Sequence, residues 1–192
     1  MRPILQVEDD PNDVFFLQHA MTKAGVTNPV QVATDGQQAI DYLQGAGKFA
    51  DRERFPLPCL ILLDLKLPHV MGLEVLKWIR QQSGLPLAVV MLTASGEDAD
   101  IATAYRLGAN GFLVKPSEVS KLVDMAKAIN AFWLTHNALP PESFRLPAPA
   151  PARSATIAPA PKCLPDTFGA RRGEWHPLIS RQTHEKTHCV AL

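Results

Sequence analysis

Cysteine is scarce in this chain, and the three present, Cys59, Cys163 and Cys189, share no repeated spacing. An odd, irregular set excludes a disulfide framework or a cysteine-rich zinc module as the organising device. Net charge is absent as well, because 19 basic side chains meet 19 acidic ones. A field that would grip nucleic acid non-specifically is therefore not advertised. No apolar run approaches the length of a membrane span, and no signal-peptide pattern opens the sequence. A reducing cytoplasm and no membrane partner are the expectations.

What is present is unevenly distributed. Met1–His136 carries 12 Lys and Arg against 15 Asp and Glu, whereas Asn137–Leu192 carries 7 against 4. The second part also holds 9 of the 17 prolines, many of them in Leu146-Pro147-Ala148-Pro149-Ala150-Pro151-Ala152. Such a run lacks the apolar side chains that offset the entropy of ordering, so residues 137–192 are expected to be a disordered tail. His176, His184 and His188 lie there beside Cys189 without paired ligand spacing, and a metal site is not read from them.

The first 136 residues alternate between two periodicities. Ile4–Val7, Val30–Ala33, Cys59–Leu63, Leu87–Leu92 and Gly111–Val114 are short apolar runs of the kind that form buried parallel strands. Between them lie helical patterns. The first opens with Asp10 as N-cap and Pro11 in the first turn, and ends near Gly25. The others are Gly36–Leu43, Leu73–Gln82, Glu97–Leu107 and Ser117–Leu134, and a long polar loop runs from Gly45 to Pro58. Five strands alternating with five helices predict an α/β domain with an open, doubly wound parallel sheet.

Ligand sites in such sheets lie outside the carboxyl ends of the strands. Four of the apolar runs end in residues with chemistry: Glu8-Asp9, Asp64, Thr93-Ala94-Ser95 and Lys115-Pro116. Three carboxylates at one rim repel each other. At ~5 Å and an effective dielectric near 20, each pair costs on the order of 3 kcal/mol before screening. A hard divalent cation such as Mg²⁺ relieves that cost with one or two carboxylates plus phosphate. It also neutralises charge on a transferring phosphoryl group. A carboxylate can itself be the nucleophile, and Asp64, ending the third strand, is the candidate. Thr93 offers a hydroxyl, and Lys115 a compact cation, to phosphoryl oxygens.

Val7-Glu8-Asp9-Asp10, Leu63-Asp64-Leu65-Lys66-Leu67-Pro68, Gly72, Leu92-Thr93-Ala94 and Val114-Lys115-Pro116 resemble, in order and spacing, the receiver domains of two-component response regulators. The resemblance covers about Arg2–Leu134. It implies a flavodoxin-like domain with strand order 2-1-3-4-5. It further implies a phosphoryl group taken by Asp64 from a sensor histidine kinase or phosphotransfer protein. Asp9 and Asp64 would ligate one Mg²⁺, with Glu8 acting partly through water and Lys66 through its backbone carbonyl. Thr93 and Lys115 would read the phosphate. Phe112 matches the family's switch aromatic, and Lys66 and Ser95 stand where the family tunes phosphate lifetime. The loop Gly45–Pro58 and the phrase Leu63–Pro68 look like the small stand-alone regulators paired with bacterial phytochrome kinases. No DNA-binding output domain is read, so signalling through protein contacts is expected.

Plainer readings stand beside these. Asp10 reads better as a cap than as a ligand, Phe112 equally well as a core-facing strand residue, and Lys66 equally well as an exposed lysine. A hydrolase working through an aspartyl phosphate is the alternative from another class. Such enzymes place the nucleophile after the first strand and a second Asp two residues later, where this chain has Lys66. A switch, not an enzyme turning over a separate substrate, is therefore expected. In the last helix Val119, Leu122, Ala126, Ile129 and Trp133 make a core stripe. Met125, Ala128 and Phe132 make a second one, the expected face of a homodimer.

Overall fold

The computed structural model describes residues 1–138. The tail from 139 onward, with His176, His184, His188, Cys163 and Cys189, lies outside the described residues. The elements are β1 (Ile4–Val7), α1 (Pro11–Lys23), β2 (Val30–Ala33), α2 (Gly36–Gln44), β3 (Leu60–Leu63), α3 (Gly72–Gln81), β4 (Ala88–Thr93), α4 (Asp98–Arg106), β5 (Gly111–Val114) and α5 (Val119–Ile129). All strands are parallel and ordered β2-β1-β3-β4-β5, the expected doubly wound sheet. No helix among the described residues is long and apolar enough to cross a membrane.

The pleat sorts the strand residues onto two faces. Leu5, Val7, Ile61, Leu63, Val89 and Met91 are buried under α2, α3 and α4. Ile4, Leu60, Leu62, Val90 and Leu92 are buried under α1 and α5, with Leu17, Ala20, Met21, Leu122, Ala126 and Ile129. Both faces are covered, so the strands read as continuous apolar runs rather than alternating ones. Gln6 is the exception. It is 2% exposed, falls on the face of Ile4, and neither side-chain polar atom finds a partner.

Local signals set the ends. Asp10 caps α1 by accepting from the Asn12 amide at 2.8 Å, and Asp35 caps α2 by accepting from Gln38 at 2.7 Å. Cys59 is buried, as its apolar setting predicts.

Three expectations need correction. The loop from Gly45 to Pro58 is not simply polar: it holds a 3₁₀ turn at Gly47–Phe49 and a small aromatic core. Tyr42, Phe49 and Phe55 pack with ring centroids 5.2 to 6.1 Å apart, and the Tyr42 hydroxyl donates to Pro56 O at 2.8 Å. The Arg52 guanidinium donates to Tyr42 O, Leu43 O and Phe55 O, closing the end of α2. The last helix starts later than expected and ends in a π-helical turn, Asn130–His136, rather than continuing as α to Leu134. Val119, assigned to the core stripe, is 48% exposed. It is the first residue of α5, at the carboxyl rim where the helix begins, and it lines the open cavity beside Lys115 and Leu122 rather than the closed core. In the second stripe Met125 is half-buried, while Ala128 and Phe132 are exposed.

Candidate functional site

Register brings the strand ends together. Val7 pairs with Leu63, Leu63 with Met91, and Thr93 with Val114. Glu8 and Asp64 are therefore the next residues on adjacent strands, and Lys115 is the next residue after Val114 on the strand beside Thr93. With ~4.8 Å between neighbouring strands, these side chains must face one another. One carboxylate oxygen from each of Glu8, Asp9 and Asp64 lies within 4.8 Å of the others. Glu8 and Asp64 are buried and Asp9 is exposed. Three hard oxygens at this spacing fit a divalent cation, with the exposed side left to water and ligand.

The loop after Asp64 is built for close approach. The Lys66 amide donates to Asp64 Oδ2 at 3.0 Å and the Gly72 amide to Leu65 O at 3.0 Å. A Cβ on Gly72 would fall 1.9 Å from Asp64 O, so only glycine lets α3 begin beneath the carboxylate. Between them His69 takes φ 64°, a left-handed conformation that costs a non-glycine residue energy and pins the turn. The Lys66 side chain is exposed.

Lys115 is the hub. Its ammonium donates to Glu8 and, at 2.7 Å, to Asp13 Oδ2, and it lies 3.7 Å from Asp64 Oδ1. Burial works against the ammonium, but the hydrogen bonds to Asp13 and Glu8 and the charge of Asp64 outweigh it, so the Lys115 pKa is raised. Burial pushes the Glu8 carboxyl up, helped by the charge of Asp64 and opposed by Lys115 and the Asp10 amide. Both Glu8 oxygens are engaged, one by Lys115 and the other by Asp10 N at 3.3 Å.

Thr93 is 1% exposed, and its Oγ1 accepts from Ser95 N at 3.4 Å. Ser95 is half-buried beside it. Phe112, on β5, packs partly against the core under α2, α3 and α4. Asp13, the one partner of Lys115 that the sequence did not announce, sits in the first turn of α1. An acid there reads as a complement to the helix dipole, which hid its second contact. Asp13 and Lys115 also line a cavity of about 270 Å³ walled by Phe16, Leu17, Leu92, Pro116, Val119 and Leu122.

An open parallel sheet ordered β2-β1-β3-β4-β5, whose carboxyl rim gathers three acids, a threonine and a lysine, is the architecture of a receiver domain. The chain belongs to the response regulator receiver family, whose model, the response regulator receiver domain, matches residues 4–127. It is 36% identical over 138 residues to the response regulator Rcp1 of Synechocystis sp., spanning 71% of this chain and 92% of Rcp1. The crystal structure of the phosphorylated cyanobacterial phytochrome response regulator RcpA superposes with a TM-score of 0.67 at 35% identity, covering 73% of this chain and 99% of that one. The Mn²⁺-bound form of Rcp1 superposes at 0.66 and 35% identity, covering 73% and 100%.

Proposed function

We propose that this chain is a phosphorylation-controlled switch that accepts a phosphoryl group on Asp64, with Mg²⁺, from a sensor histidine kinase or a phosphotransfer protein. The observation that carries the reading is the meeting of Glu8, Asp9 and Asp64 with Lys115 at one rim. An Asp64 oxygen bonds to phosphorus as the phosphorus–nitrogen bond of the donor's phosphohistidine breaks, and the imidazole nitrogen keeps the electron pair. Asp9 and Asp64 would hold the metal, with the Lys66 carbonyl and, through water, Glu8. When bound, the ion neutralises charge on the transferring group.

Lys115 and Thr93 then read the product, Lys115 as a point charge and Thr93 as a hydroxyl donor. Phe112 follows Thr93 as the second half of a two-state element. Lys66 and Ser95 tune how fast water removes the phosphate. No separate substrate is turned over. The likeness to regulators named for phytochromes favours a light-sensing kinase as the donor. The exposure of Ala128 and Phe132 favours a symmetric dimer through α5, which Phe132→Glu should shift toward monomer in sedimentation.

The test is labelling by acetyl phosphate with Mg²⁺. Wild type should become labelled, and Asp64→Asn or excess EDTA should abolish it. Full labelling of the Asn variant would refute the assignment.

A further inference from the structure

We propose that Asp13 is a positioning residue: it holds Lys115 in the unphosphorylated chain, and a phosphoryl group on Asp64 must draw Lys115 away from it. The proposal rests on the reading of Asp64 as the phosphoacceptor.

The lysine ammonium has three N–H donors. One goes to Glu8 and one to Asp13 Oδ2 at 2.7 Å, while Asp64 Oδ1 stands at 3.7 Å, beyond a hydrogen bond but well within range of its charge. Lys115 is thus held between an inner acid on the strand rim and an outer one on α1. The two contacts are not equally easy to release. The Glu8 side chain is 5% exposed, so losing its cation would strand a buried charge. The Asp13 side chain is 40% exposed and regains water when Lys115 leaves. A phosphoryl group adds negative charge and strong acceptor oxygens on the Asp64 side of the ammonium. Lys115 therefore moves toward it and gives up Asp13, the partner that loses least. Since the Asp13 contact is made only before phosphorylation, it holds the unphosphorylated state down, and removing it should favour the phosphorylated one.

The experiment titrates beryllofluoride, a phosphoryl mimic, into the full chain with Mg²⁺ and follows amide resonances. Asp13→Asn should bind about fivefold tighter than wild type. Asp10→Asn removes the same charge from the same rim with no contact to Lys115 and keeps a residue that can cap α1, so its affinity should match wild type. A second readout is the Lys115 Cε resonance. It should differ between wild type and Asp13→Asn in the free chains and coincide once beryllofluoride is bound. Equal or weaker binding by Asp13→Asn overturns the proposal. So does equal tightening in Asp10→Asn, which would mark a general field effect, or a Cε difference that persists in the bound chains. Wild type that binds no beryllofluoride would instead remove the phosphoacceptor reading, and the proposal with it.

Discussion

The two rims of the sheet handle charge in opposite ways. At the amino ends of the strands, cations and amides meet neutral acceptors. Arg80 donates to Gly108 O at 2.8 Å, Leu87 O at 2.9 Å and Asn110 Oδ1 at 2.7 Å, and the same Asn110 oxygen accepts from Val89 N. Arg2 donates to Leu57 O and Pro58 O, and Asn28 to Arg2 O. Burial pulls the Arg80 pKa down, yet carbonyls surround the guanidinium and no acid is needed. At the carboxyl ends Glu8, Asp13 and Asp64 compete for Lys115, with Asp9 beside them. One rim has its polar groups matched among themselves. The other carries a surplus of negative charge that only a cation can relieve, which leaves it poised for a ligand.

The contrast breaks most visibly at Asp9. Asp9→Asn removes one of the three clustered carboxylates, so half-maximal labelling should need more than about tenfold higher Mg²⁺. In EDTA the same change relieves repulsion and should raise the melting temperature slightly, a gain in stability at the expense of function. A labelling curve that superposes on wild type would remove Asp9 from the metal site.

At the opposite rim the signs reverse. Arg80→Met leaves Gly108 O and Leu87 O without their donor and frees one side of Asn110. The cost should be about 2–3 kcal/mol in denaturant unfolding, with the Mg²⁺ dependence of labelling unchanged. A labelling defect in a folded Arg80→Met chain would show that the two rims are coupled.

Much of this organisation was legible in the sequence, because it is local or repeats along the chain. Each strand is a short apolar run, four of the five runs end in a residue of the candidate site, and parallel register brings those ends together. Asp10 and Pro11 announced α1 for the same local reason. What stayed hidden depends on distant partners. Asp13 and Lys115 are 102 residues apart, and nothing around Asp13 distinguishes a helix-dipole acid from an ion-pair partner. Phe49 and Phe55 sit among charged residues, so their stretch reads as a polar loop. Only the folded chain places them against Tyr42. Gln6 is invisible for the opposite reason: one amide inside an apolar run does not disturb the pattern that makes it a strand.

Gln6 provides a finer test, since it sits between the rims and belongs to neither. Both polar atoms of its side chain are buried without a partner. Replacing such a group by an apolar one of similar size removes a desolvation cost, so Gln6→Leu should stabilise by about 1–2 kcal/mol. Destabilisation would mean that a buried water serves the amide.

Tyr42 gives the smallest effect and the one with a pH signature. Its hydroxyl donates to Pro56 O at 2.8 Å, so Tyr42→Phe should cost about 1 kcal/mol at neutral pH. Burial pushes the phenol from 10.0 up to about 12, against the charge of Arg52. Between those values the folded chain keeps a proton that the unfolded chain has released. Stability must then fall as pH rises through that window, because the unfolded state binds fewer protons. Tyr42→Phe has no phenol at this position and should lack that part of the fall. Its deficit relative to wild type should therefore shrink as pH climbs from about 10 toward 12. Curves that stay parallel across the window would place the Tyr42 hydroxyl in water, and the aromatic core of the Gly45–Pro58 loop would then be open rather than closed.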